Sequence, residues 1–242
     1  MKKLICRELY LARKNMLLSY GIGLIFFITG ILVLLSCRFG NFARYNTPEE
    51  VETMMSMLAF CMPVMIYSMA LVTGVDAVPA QIFADHLCGW HKFIKSSELK
   101  PGDYVGAKYL TILLLFAVAT VMMFICCPVF FVLGGISKLN LTVYVAILDF
   151  VMMYADLSIP LNLWAKKRER TTFISIIPLC VMSVAGVMGG AYLADRPELA
   201  NEIIRLYENG SFGMLAYIIL GVLAVLMYFS YRLSVHFVEV EG

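Results

Sequence analysis

The sequence predicts an all-α membrane protein of six transmembrane helices, with both termini in the cytoplasm. Three observations lead there. Hydrophobic residues make up 61% of the 242 and charged ones only 15%, against about 25% charged in ordinary soluble domains. Mean hydropathy is +0.84, more apolar side chain than an aqueous fold of this length can cover with polar surface. The apolar residues fall in continuous runs long enough to cross a bilayer, about 20 residues each. A closed barrel would instead show short alternating segments. This composition excludes a soluble enzyme, a disordered chain and a disulfide-stapled secreted module. A net charge of +2 gives no reason to expect a nucleic-acid partner.

Six stretches qualify as spans: about Met16–Cys37, Met54–Val78, Val105–Leu133, Leu141–Ala165, Thr171–Ala194 and Phe212–Tyr231. Pro63, Pro128, Pro160 and Pro178 lie inside them. Each is expected to kink its helix or free a carbonyl four residues back. Of the 19 Lys and Arg, 14 lie in the two terminal segments, the second and fourth connections and, as Lys108, the adjoining start of the third span, and 5 in the other connections. This excess places the termini and those connections in the cytoplasm. The chain is expected to form a single transmembrane domain over 1–242, in a bacterial cytoplasmic membrane.

Three segments outside the spans carry further expectations. Residues 1–15 are basic and amphipathic: over Lys2–Leu18, Leu4, Leu11 and Leu18 recur at sevens, and Lys3, Arg7, Glu8 and Lys14 are assigned to the polar side. A surface helix in the headgroup plane is expected there. Residues 79–104 form a long cytoplasmic loop. Residues 195–210 open with Asp195 as a helix cap and Pro197 in the first turn, with Leu199, Ile203 and Leu206 on one face. They are expected to form a short amphipathic helix at the outer surface.

Polar residues inside spans are the candidates for function. Asp149 and Asp156, in the fourth span, are seven apart and share a helical face about 10 Å apart along the axis. They could attract a cationic substrate along a pathway, or hydrogen-bond between helices. Asp76 is a possible partner for Lys108. Gly186 and Gly190 form a small-xxx-small pattern in the fifth span, and Ser19 and Gly23 repeat it in the first. Such patterns allow close helix approach and make these glycines candidates for a dimer interface. The seven cysteines lack a C-x-x-C pair and read as small buried hydrophobes. No metal-binding motif and no phosphate-binding G-x-x-x-x-G-K-[ST] loop occurs, so no cofactor is expected in this chain. A catalytic constellation is likewise not visible.

One segment carries a resemblance. It reads Phe83-Ala84-Asp85-His86-Leu87-Cys88-Gly89-Trp90-His91-Lys92-Phe93, and after a short interval Lys100-Pro101-Gly102-Asp103-Tyr104-Val105-Gly106-Ala107-Lys108-Tyr109. An acidic residue, Gly-Trp, a basic-aromatic pair and a later Lys-Tyr resemble the ABC-2 type permeases of bacterial ABC exporters. The small six-span subfamily of Firmicutes, including phenol-soluble modulin exporter permeases, is the most similar. Asp85, Gly89-Trp90, Lys92-Phe93 and Lys108-Tyr109 match, whereas Ser97-Glu98-Leu99 replaces the usual Ser-Leu-Pro turn and Pro101 stands where a basic residue is usual. The layout of helices is similar over the whole chain.

The resemblance implies a coupling helix around 83–95, with Phe83, Asp85, His86, Trp90, Lys92 and Phe93 against a soluble ABC ATPase. It implies two copies of that ATPase, binding ATP and Mg, and a second permease chain completing a dimer. It further implies export of an amphipathic or antimicrobial peptide. Rival expectations are a stand-alone secondary carrier, a peptide-binding immunity protein without transport, and an intramembrane peptidase.

Overall fold

The computed structural model describes residues 2–40, 47–96, 99–135, 141–165 and 211–241. Nearly all of them are helical: α1 Lys2–Phe39, α2 Pro48–Leu87, α3 Trp90–Ser96, α4 Pro101–Gly134, α5 Leu141–Ala165 and α6 Ser211–Glu241. Five of these are long and apolar enough to cross a membrane: α1, α2, α4, α5 and α6. The fifth expected span, with Gly186 and Gly190, and the expected outer-surface helix lie outside the described residues.

The helices are longer than the apolar runs that reveal them. α2 starts at Pro48, six residues before the expected span. Thr47 and Glu50 form a reciprocal cap, the Thr47 N–H donating to Glu50 Oε2 at 2.9 Å and the Glu50 N–H to Thr47 Oγ1 at 3.4 Å. Pro48 occupies the first helical position, where its missing N–H costs nothing. At its other end α2 continues through Pro79 to Leu87, and with α3 and the first turn of α4 most of the expected loop 79–104 is helix. The N-terminal segment is also not a separate surface helix, since α1 runs unbroken from Lys2 to Phe39. Within it Glu8 is fully buried, together with Leu4 and Ala12, while Leu11 and Leu18 are exposed. Residues 4, 8 and 12 stack on one helical face, so Glu8 belongs to the buried stripe and not to the polar side.

The chain divides into two compact units, to both of which α1, α2 and α4 contribute. One comprises Leu9–Ala77 and Leu110–Asn140. Its core is Leu34, Ala59, Ile66 and Phe130, with Phe27 meeting Phe130 edge-on at 5.5 Å between ring centroids. Close approach is written into its glycines. A methyl group on Gly30 would meet the Phe130 ring at 2.7 Å, and one on Gly134 would overlap the Cβ of Ala59. Ser19 and Gly23 are used within this unit. Thr73 Oγ1 donates to Ser19 Oγ at 2.6 Å, and Gly23 faces Ile66.

The other unit comprises Met1–Glu8, Val78–Tyr109 and Leu141–Gly242. There α5 packs along α6. α5 is continuous through Pro160, which has no N–H to offer the Asp156 carbonyl one turn back. The Ser230 hydroxyl of α6 donates to that carbonyl at 2.6 Å. The Tyr109 hydroxyl lies 2.6 Å from Ser230 Oγ and 3.1 Å from Ser234 Oγ. Each hydroxyl has one proton to give. With Ser230 committed to the carbonyl, Tyr109 donates to Ser230 and Ser234 donates to Tyr109. A proline defect in one helix is thus repaired by a hydroxyl chain from two others.

Candidate functional site

Four charged side chains close into a ring inside this second unit. Lys108 of α4 is wholly buried, and its Nζ donates to Glu8 Oε2 of α1 at 3.0 Å and to Asp85 Oδ2 of α2 at 2.9 Å. Arg7 of α1 donates to Glu8 Oε1 at 2.6 Å and to Asp85 Oδ1. Each cation therefore binds both carboxylates, and each carboxylate binds both cations. The Tyr104 hydroxyl adds a donor to Asp85 Oδ2 at 2.8 Å, and Gln81 Nε2 donates to the Glu8 backbone carbonyl at 2.9 Å.

The balance matters because burying an unpaired ion costs several kcal/mol or more, whereas a paired and hydrogen-bonded one is tolerated. All four carboxylate oxygens are occupied and the formal charges cancel. Lys108, expected as a partner for Asp76, is committed instead to Glu8 and Asp85.

The ring reaches the surface through Arg7, whose side chain retains 26% exposure. Its guanidinium lies 4.2 Å from the centre of the Trp90 ring, and Trp90 stacks on Phe93 with centroids 4.9 Å apart. Trp90 opens α3, and the approach to it is set by backbone. The last turn of α2 closes with the Cys88 N–H on the Ala84 carbonyl at 3.0 Å, and the Gly89 N–H reaches the His86 carbonyl at 3.2 Å. Gly89 has φ +68°, the left-handed conformation that ends helices and that other residues adopt at a cost. Its carbonyl accepts the Phe93 N–H at 3.3 Å, so one glycine ends α2 and begins α3. Phe93 and Leu87 remain exposed, Leu87 by 73%.

Of the residues expected to couple to a partner, Phe83, Asp85 and His86 lie in the last turns of α2, and Trp90, Lys92 and Phe93 lie in α3. Asp85 turns inward to the ring, while Phe93 turns outward. Sequence reasoning missed Arg7, Glu8, Lys108, Tyr104 and Gln81 as one constellation. A signal existed for Glu8, an acid stepping in fours with Leu4 and Ala12. Nothing in the sequence pairs it with Lys108, 100 residues on.

Asp149 and Asp156 are both buried in α5, at 7% and 8% exposure. Asp149 Oδ1 and both carboxylate oxygens of Asp156 find no hydrogen-bond partner among the described residues. The interhelical bonds considered for these side chains are therefore not present at those oxygens. Among the described residues, no group of three or more His, Cys, Asp or Glu is placed to hold a metal ion.

Fold and site define an all-α, multi-pass membrane protein with a buried, neutral ion ring behind a short surface helix. Comparison with family models, curated proteins and solved structures finds no match to this chain.

Proposed function

We propose that this chain is the membrane subunit of an ATP-driven exporter of the ABC-2 type, with α3 as the element that seats on a separate ATPase. The observation that carries the reading is the construction of α3. A seven-residue helix is too short to hold its own shape in water, yet this one is pinned by Gly89, by Arg7 on Trp90 and by the ion ring behind Arg7. It exposes Phe93, and an aromatic anchor on a rigid support suits a protein partner. The residues around it are those that resemble the permease family.

In this reading the termini and α3 face the cytoplasm, as the distribution of Lys and Arg indicates, and a sixth span lies between α5 and α6. Two such chains work with two ATPase subunits, which bind ATP and Mg. An amphipathic peptide is the substrate the resemblance suggests. Asp149 and Asp156, buried and with Asp149 Oδ1 and both Asp156 oxygens unpartnered among the described residues, favour a second reading, a carrier driven by an ion gradient, in which these carboxylates bind the coupling cation.

Purification of the tagged chain from native membranes in mild detergent tests both. A stoichiometric soluble ATPase that hydrolyses ATP and is held at least about tenfold less tightly after Trp90→Ala with Phe93→Ala supports the exporter. A preparation without such a subunit, and flux that follows an ion gradient and is abolished by Asp156→Asn, supports the carrier.

A further inference from the structure

The ion ring and α3 meet at Arg7. Lys108 and Asp85 are buried away from the surface, Trp90 and Phe93 stand at it, and Arg7 touches both groups. We propose that Arg7 is a positioning residue that holds the Trp90 ring, and through it α3, in the orientation that receives the ATPase. The effect on the ATPase rests on the exporter reading above, whereas the hold on Trp90 does not.

The geometry suits an arginine in particular. Arg7 Nη1 goes to Glu8 and Nη2 to Asp85, so both ends of the guanidinium fork are fixed and its plane with them. A planar cation with fixed orientation can lie on an indole, and a lysine ammonium offers neither the fork nor the plane. Glu8 and Asp85 are in turn held by Lys108, so the orientation of Arg7 is inherited from the buried side of the ring. On the other side it contacts Trp90 of α3. Trp90 Nε1 is buried without a hydrogen-bond partner among the described residues. The ring is therefore kept in place by its faces, by Arg7 and Phe93, and not by a bond at its nitrogen. Loss of Arg7 frees the ring without breaking a hydrogen bond of Trp90.

The chain has two tryptophans, so Trp164→Phe leaves Trp90 as the sole indole emitter. In that background, acrylamide quenching of fluorescence reports how well Trp90 is covered. Arg7→Gln and Arg7→Lys are compared with the parent in the same detergent. Arg7→Lys keeps the charge of the ring and protects the comparison should Arg7→Gln fail to fold. Circular dichroism verifies that helix content is unchanged.

The proposal expects a shift of about fivefold toward the uncovered ring in either variant, the amount a half-buried cation–π contact supplies. It also expects a matching drop in ATPase retained and in ATP hydrolysis by the complex. Unchanged quenching in Arg7→Lys overturns the proposal. Raised quenching with full retention of the ATPase and full hydrolysis overturns the link from ring to partner. A parent chain that retains no ATPase overturns the exporter reading instead, and quenching alone then decides whether Arg7 positions Trp90.

Discussion

Replacing Lys108 by Met keeps the length of the side chain and removes its charge. Two carboxylates, Glu8 and Asp85, then share Arg7 alone. Both are almost completely buried, so water does not take over from Nζ at the 3.0 and 2.9 Å contacts it vacates. Removing one partner from a buried ion pair typically costs about 3–5 kcal/mol. At roughly 2–4 °C per kcal/mol for a chain of this size, the midpoint of thermal unfolding falls by about 6–20 °C. The assay is the fraction of protein keeping its elution volume in detergent after heating. Glu8→Gln in the same chain removes the surplus negative charge and leaves Arg7 with Asp85. Because both sites belong to one network, their effects are not additive, and the double variant recovers at least about 2 kcal/mol of the loss. A Lys108→Met chain less than about 1 kcal/mol below the parent, or a double variant whose loss equals the sum of the two single losses, refutes the argument that charge balance holds the ring together.

Two further predictions concern packing and the proline repair. Ser230→Ala strips the Asp156 carbonyl of its donor and costs about 1–3 kcal/mol by the same thermal assay. In a Pro160→Ala background the new N–H at 160 serves that carbonyl, and the cost of Ser230→Ala falls below about 1 kcal/mol. Gly134→Ala forces a methyl into Ala59 and costs about 1–3 kcal/mol, whereas Gly21→Ala, with open space at its Cβ position, stays within about 0.5 kcal/mol of the parent.

The apolar runs disclose the helices because a bilayer demands some 20 consecutive hydrophobic residues, and that demand is local in sequence. Helix ends beyond the apolar zone obey other rules. The start of α2 was legible in Thr47-Pro48-Glu49-Glu50, a capping pattern outside the hydrophobic window. Its extension to Leu87 was not, because Asp85 and His86 read as loop residues until Lys108 and Tyr104 supply partners for Asp85. The Asp149 and Asp156 pair shows the reverse case. Their shared face follows from spacing of seven, but that Asp149 Oδ1 and both Asp156 oxygens find no partner among the described residues depends on what the other helices bring. Pro160 lies between the two, since its freed carbonyl was expected and the hydroxyl that answers it was not. Arg7, Glu8 and Lys108 were all counted in the sequence by charge or polarity, which says nothing of the contact that joins them.

The ion ring also has an order in time. Glu8 precedes Lys108 by 100 residues and Asp85 precedes it by 23. At about 5–20 residues per second, Glu8 waits about 5–20 s and Asp85 about 1–5 s for the cation that both will share. Until the first turns of α4 leave the ribosome, the members of the ring on α1 and α2 are two acids, Glu8 and Asp85, and one cation, Arg7. Their burial is unfavourable until Lys108 arrives. The lysine that completes the ring is therefore also the residue that ends its assembly: a nascent chain interrupted before α4 holds the two acids of the ring against one cation, and one that has passed it balances them in a single step.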